Sequence, residues 1–281
     1  LMQSLTFPIR SEKLSMSVGV REHLVSTASP YQQIDIYDTF ELGKMLFLDG
    51  HVQLSTRDEH AYHECLVHIP LLALREPKNA LVVGGGDGGI LRELVKHPEL
   101  ERIDMVEIDD LVIGECRRHL PELNDGAFDD PRVKLTIEDA FGFVKNADAE
   151  YDLVVLDVTD VYEDEEGELS EKLFTKEFYD DVAKILSPNG MVVTQSDNLV
   201  FCTYSFQDIK ASVAESFPIV WIFWGLVPSF GGFSGFAWAS LGADIPQFWP
   251  GSRAEDLRLR YLNELTYRLA MSPAPFTSPG S

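Results

Sequence analysis

Four acidic residues stand at matching places in this chain, each just after a short apolar run. Asp87 follows Ala80-Leu81-Val82-Val83, Glu107 follows Ile103 to Val106, Asp139 follows Val133 to Ile137, and Asp157 follows Leu153-Val154-Val155-Leu156. Carboxylates accept hydrogen bonds from hydroxyl and amino groups, neutralise ammonium ions, and take a proton from an amine held beside them. The first acid lies inside a glycine run, Gly84-Gly85-Gly86-Asp87-Gly88-Gly89, which lets the backbone turn tightly and approach a ligand. Glu107 comes at about the 20-residue distance where a βαβ nucleotide fold presents an acid to a ribose hydroxyl pair. Asp87 occupies the place where a dinucleotide's pyrophosphate would rest on the positive end of a helix, and its charge repels such a group. The loop therefore suits a cationic or neutral nucleoside, and a sulfonium of the S-adenosylmethionine type meets that condition.

Elements must bring these acids together. Ala80 to Val83, short, apolar and cut off by glycine, suits a strand buried on both faces of a parallel sheet. Ile90, Leu91, Leu94 and Val95 then mark one side of a helix, with Arg92, Glu93 and Lys96 on the other. Val112 to Leu120 reads as a helix, Val133 to Ile137 as a strand, and a helix starts at Phe141 and Val144. Leu153 to Asp157 is a strand, Phe178 to Leu186 a helix closed by Ser187-Pro188-Asn189-Gly190, and Met191 to Gln195 a further strand. This alternation predicts an α/β, doubly wound sheet whose ligands lie over the carboxyl ends of its strands. An acid at a loop start is also a helix cap; that reading stays open for each acid singly, while four in succession favour a site.

Residues 1–75 read as a small antiparallel β module. Ile34, Ile36, Thr39 and Phe40 alternate within it, and Asp49-Gly50 makes a hairpin turn. A linker helix follows, capped by Asp58, with Tyr62, Cys65, Leu66 and Ile69 at helical spacing and His63 and Glu64 turned toward a neighbouring site. Residues 76–281 make the larger, nucleoside-binding domain. Beyond Trp249, the spacing of Leu257, Leu259, Tyr261, Leu262, Leu265 and Leu269 predicts a helix that packs on the sheet or on a second subunit.

Composition sets the class. The 281 residues, 45% hydrophobic, support a sizeable core. Acids outnumber bases 46 to 23, for a formal charge of −23, so the surface repels nucleic acid and anionic membranes and attracts cations. Most of that excess reads as a solubility device, suited also to a saline cytoplasm. No apolar run reaches the roughly 18 to 20 residues that span a bilayer, and the first thirty residues carry charges in place of a signal-peptide core. A cytoplasmic protein with no membrane or nucleic-acid partner is the expectation. Cys65, Cys116 and Cys202 form no C-x-x-C and read as reduced, packed thiols.

Taken in order, Tyr62-His63-Glu64, Gly84 to Gly89, Val106 to Asp109 (VEID), Glu138 to Ala140 (EDA) and Asp157 to Asp160 (DVTD) resemble the motifs of the polyamine aminopropyltransferases, the spermidine synthase family. The resemblance runs from about Gln32 to Ser240. It implies a Rossmann-like, methyltransferase-type domain behind the β module, and transfer of an aminopropyl group from decarboxylated S-adenosylmethionine, a co-substrate, to a small amine with release of methylthioadenosine. Neither metal nor other cofactor is implied. By resemblance Glu107 holds the ribose hydroxyls, Asp139 and Ala140 the adenine, and Gln32, Gly84 and Gly86 the rest of the nucleoside. Asp87 binds the donor's terminal ammonium, Asp157 accepts the acceptor's proton, and Tyr62, His63 and Asp160 hold the amine.

Physical need matches these roles. A free amine with a pKa of about 10.4 costs about 4 to 5 kcal/mol to deprotonate at neutral pH, so a positioned carboxylate is required. The chain departs from the family pattern in three places. Val161 follows Asp160 where relatives usually carry proline, the next loop is long and acidic (Glu163, Asp164, Glu165, Glu166, Glu168), and Phe230 stands where spermidine synthases tend to show tyrosine. Putrescine is the first expected acceptor, with agmatine or spermidine as alternatives. Asp87 opposes a class I methyltransferase and a nicotinamide oxidoreductase, and Asp157 with Asp160 opposes a noncatalytic polyamine binder. A homodimer or homotetramer is expected, since the β module offers strand edges to cover.

Overall fold

The computed structural model describes residues 3–9, 11–158, 173–201, 203–243 and 249–273. Asp160, the acidic stretch Glu163 to Glu168 and Cys202 lie outside the described residues. The chain opens with five antiparallel strands in sequential order, β1 (Gln3–Ile9), β2 (Ser11–Ala28), β3 (Gln33–Thr39), β4 (Lys44–Leu48) and β5 (His51–Ser55). Asp49 and Gly50 join β4 to β5 with φ of 49° and 81°, the doubly positive turn that Asp-Gly favours. Ile34, Ile36, Leu46, Leu48 and Leu54 face one core. Phe40 falls past the end of β3 and is exposed.

Helix α1 (Glu59–Ala73) begins where expected, but Asp58 at its N-cap makes no side-chain cap bond. Nor does α1 serve only as a linker: Cys65, Leu66, Val67, Ile69 and Leu71 enter the core of the larger unit. Each such fully buried aliphatic side chain contributes about 1.5–3 kcal/mol, which fixes the helix against the sheet.

The larger unit alternates β6 (Asn79–Gly84), α2 (Gly89–Val95), β7 (Arg102–Glu107), α3 (Asp110–His119), α4 (Pro121–Asn124), β8 (Val133–Ile137), α5 (Ala140–Lys145), β9 (Tyr151–Asp157), α6 (Lys176–Ile185), β10 (Leu186–Asn198), α7 (Thr203–Ala214), β11 (Ile219–Val227) and β12 (Gly232–Ser240). Sheet order is β11-β12-β10-β9-β6-β7-β8. Strands β6 to β10 run parallel, and β12 runs antiparallel to both its neighbours. This is the doubly wound sheet that the alternation predicts, of the Rossmann-like, methyltransferase type that the resemblance implies. Along β6, Val82 packs on the face of α1 and α2, while Leu81 and Val83 pack on the face of Phe178 and Val182 from α6.

Two sequence readings give way. Helix α6 ends at Ile185 and β10 starts at Leu186, so Ser187 to Gly190 is a bulge where the register slips before Met191, and the strand runs on past Gln195. The tail is not one helix. It forms α8 (Gly251–Ala254), a left-handed Arg258 at φ 52°, and α9 (Glu264–Ala270). Leu262 and Tyr267 pack on the sheet, whereas Leu265 and Leu269 stay exposed.

Candidate active site

The carboxyl ends of β6, β7, β9 and β10 open into one cavity of about 510 Å³. Of the residues expected at the site, Gln32, Tyr62, His63, Gly84, Gly86, Asp87, Glu107, Asp139, Ala140 and Asp157 all line it. Asp160 belongs to the undescribed stretch. The β module supplies a wall of the same cavity through Gln32, His51 and Gln53.

Around Asp157 the glycines explain the approach. Gly84 pairs with Asp157 across the sheet at φ 78°, and a Cβ there would overlap the Asp157 carbonyl; Gly85 donates its N–H to that carbonyl at 2.9 Å. The glycine turn is thus clasped to the end of β9. Tyr62 of α1 donates its hydroxyl to Asp157 Oδ1 at 2.7 Å. One turn position away, His63 sits with Nδ1 2.6 Å from Glu59 and Nε2 3.6 Å from Asp87. Burial alone would lower the imidazole's pKa, but Asp87 and then Glu59 outweigh it and hold the group up at about 10. Gly89 has no room for a Cβ, which would run into the His63 ring. One nitrogen of His63 and one oxygen each of Asp87 and Asp157 lie within 4.8 Å of one another. That spacing could hold a metal ion, and its two carboxylates could equally hold an ammonium between them.

Around Glu107, the carboxylate's Oε1 accepts the N–H of Ile108 at 2.7 Å and of Asp109 at 3.0 Å. Gly86 comes close to Oε2, where a Cβ would lie 3.1 Å away. Burial, opposed by those backbone hydrogen bonds and aided by Asp109 and Asp157, raises the Glu107 pKa to about 7. Gln32 reaches this region from the β module by donating Nε2–H to Asp109 Oδ2 at 2.8 Å, and Ser29 donates its hydroxyl to the same oxygen at 2.6 Å. Asp109 also caps α3, and Asp139 caps α5 by accepting the Phe141 N–H at 3.0 Å. At Asp139 capping and cavity lining coincide, because a strand's carboxyl end is also the next helix's start.

Several residues that sequence reasoning passed over shape the site. Asp58 accepts the N–H of Ser229 at 2.7 Å and its hydroxyl at 2.8 Å, and Asn198 donates to the Phe230 carbonyl at 2.8 Å. The turn Pro228–Phe230 is therefore clamped from two sides, with the Phe230 ring edge-on to Tyr62 at 5.8 Å. Asp197, left-handed at φ 69°, lines the cavity beyond Gln195. The polar run Gln195-Ser196-Asp197 at a strand end was the available signal. Glu64, expected to face the site, turns away and accepts the N–H groups of Arg260, Tyr261 and Leu262 at 2.6, 2.9 and 2.7 Å. Three backbone donors at one carboxylate make it an anchor for the C-terminal tail.

Asp87, Glu107, Asp139, Asp157 and Asp197 ring the cavity, and no lysine or arginine is among its described lining residues. Such a rim on a methyltransferase-type sheet suits cationic ligands. Residues 59–245 match the spermine/spermidine synthase domain, and residues 7–56 match the spermidine synthase tetramerisation domain. The polyamine aminopropyltransferase of Moorella thermoacetica is 35% identical over 95% of this chain and 93% of its own, and that of Pyrobaculum calidifontis 38% identical over 85% and 83%. A crystal structure of spermidine synthase in complex with the transition state analogue AdoDATO superimposes with a TM-score of 0.90 at 28% identity, covering 98% of this chain and 93% of that one. Spermidine synthase from Thermotoga maritima gives 0.89 at 28%, covering 98% and 92%. The chain belongs to the spermine/spermidine synthase family and is a polyamine aminopropyltransferase.

Proposed function

We propose that the protein moves the aminopropyl group of decarboxylated S-adenosylmethionine to putrescine, forming spermidine and methylthioadenosine. The observation that carries this is the gap between Asp87 and Asp157, two carboxylates whose oxygens lie within 4.8 Å of each other and of His63. In this reading Asp87 binds the donor's ammonium. Glu107 takes the ribose hydroxyls through the oxygen that its backbone hydrogen bonds leave over, Asp139 and Ala140 flank the adenine, and Gly84, Gly86 and Gln32 complete the nucleoside wall. Asp157, oriented by Tyr62, takes one proton from the acceptor's ammonium, assisted by Asp160. The freed lone pair attacks the carbon beside sulfur, a C–N bond forms as the C–S bond breaks, and the bonding pair returns to the sulfonium, which leaves as a neutral thioether.

Phe230 favours a second reading. A ring without a hydrogen-bonding atom at this turn, with Asp197 in the same cavity, suits an acceptor whose far end is a guanidinium or a further ammonium, as in agmatine or spermidine. The β module, matched to a tetramerisation domain, supports assembly as a homo-oligomer, dimer or tetramer. Among the described residues no helix is long and apolar enough to cross a membrane, and we propose a cytoplasmic enzyme. We also propose the division into a β module with α1 (1–75) and a nucleoside-binding unit (76–281).

Competition settles the acceptor. The enzyme is given decarboxylated S-adenosylmethionine with equal putrescine, agmatine, cadaverine, spermidine and norspermidine, and the products are resolved by mass. Spermidine as the dominant product is expected, and it should fall about 100- to 10,000-fold in Asp157→Asn, the range lost with a positioned base. A dominant aminopropylagmatine or a tetraamine would replace putrescine by the second reading.

A further inference from the structure

His63 does not stand alone beside the reacting gap. Behind it, Glu59 is buried and gripped by Arg92 of α2 through a two-pronged pair, Nη1 to Oε1 at 2.9 Å and Nη2 to Oε2 at 2.8 Å. Arg92 is itself fixed by Glu93 through Nε at 2.7 Å and by the Leu123 carbonyl at 2.7 Å. A planar guanidinium held on several sides has one orientation, and it passes that orientation to the carboxylate it clamps. Glu59 in turn fixes Nδ1 of His63, one turn along the same helix, which aims Nε2 at Asp87. Gly89 gives the ring its slot. The titratable and charged groups facing the imidazole are Glu59 and Tyr62 from α1, Asp87 from the glycine turn and Asp157 from β9. Arg92 stands behind Glu59, and Asp58 lies beyond, bound to Ser229.

We propose that Glu59 and Arg92 are positioning residues that act through His63, presenting its Nε2–H to the gap between Asp87 and Asp157, so that a carboxylate there and not the imidazole takes the amine's proton. A histidine in contact with an amine is ordinarily the first candidate for a base. Here Glu59 at Nδ1 and the two carboxylates toward Nε2 favour a ring that donates on both sides, which sets a positive group beside Asp87 and Asp157. Asp87 contributes most to that state, and Glu59, held at a pKa of about 2 by His63 and Arg92 against its burial, adds to it. This inference rests on the aminopropyl-transfer reading for its catalytic consequence, whereas the protonation of the ring does not depend on it.

The test therefore uses both readouts. Enzyme carrying ¹⁵N-labelled histidine is titrated by NMR, with His63 assigned by its loss in His63→Gln. In the unmodified enzyme both ring nitrogens are expected to carry protons at about pH 8. In Glu59→Gln the ring should lose a proton below about pH 9, and kcat should fall about 10- to 100-fold, as when an orienting partner is removed, with a new ionisation in the kcat–pH profile. Arg92→Lys, which keeps the charge and loses the fork, should shift the ring in the same direction by less and serves if Glu59→Gln does not fold. A neutral His63 in the unmodified enzyme overturns the proposal. So does a Glu59→Gln enzyme whose ring titration and pH profile superimpose on the original, whatever its activity. Methylthioadenosine failing to appear with any amine would remove the transfer reading while the ring titration still judged the inference.

Discussion

Glu107 shows how one side chain converts its burial into behaviour. Its carboxyl is held up at about 7 because burial penalises the charge more than two backbone N–H groups relieve it. Below that pH the neutral acid predominates and offers a hydrogen where a hydroxyl needs an acceptor. In the proposed role, ribose hydroxyls would donate to the ionised form and stabilise it, so that binding would lower the pKa and expel a proton. Methylthioadenosine affinity is therefore expected to rise by up to about tenfold per pH unit below pH 7 and to level off above it. Calorimetry at about pH 6 in two buffers of different ionisation enthalpy reads the proton directly. Equal heats in both buffers would mean that Glu107 is ionised before the ligand arrives.

At the scale of elements, α1 and the turn Pro228–Phe230 line one part of the cavity, the acceptor end in the proposed reading. Asp58→Ala leaves the N–H and hydroxyl of Ser229 buried without their carboxylate, at a cost of about 1–3 kcal/mol for each group left unsatisfied. The freed turn should raise the acceptor's KM while methylthioadenosine binds as before. Denaturant unfolding and steady-state kinetics check the two halves, and an unchanged acceptor KM in a destabilised variant would confine Asp58 to a structural role. Asp58 also marks the limit of what could be read from sequence. The alternating sheet, the glycine turn and the acids at strand ends were legible because each depends on neighbours a few residues away, through periodicity or turn chemistry. Asp58 was read as a cap, a local role, but its carboxylate serves a residue 171 positions on. Glu59 was invisible for a related reason, since its partner Arg92 is 33 positions away on a different helix. Glu64 looked like a site residue beside His63, and only the folded tail shows where it points. Long-range pairing leaves no local pattern to read.

Across the whole molecule, the charge of −23 surrounds a cavity with carboxylates at its rim. Such a field concentrates cations at the entrance, and salt screens it. For a cationic acceptor, kcat/KM should fall about tenfold from low salt to about 0.5 M salt with kcat little changed, and more steeply for a trication than for a dication. Initial rates across an ionic-strength series measure this; a flat kcat/KM would return the charge to a role in solubility alone. The cavity wall has a further consequence. Gln32, His51 and Gln53 come from the β module and Asp157 from the sheet behind it, and the two units share a core in which Ile34 and Leu48 pack with Val112 and Leu120. The halves are therefore packed as a matched pair. A crossover at their junction with a relative would set half of that core and one cavity wall against partners they do not fit, so exchanging the halves should cost stability and activity together.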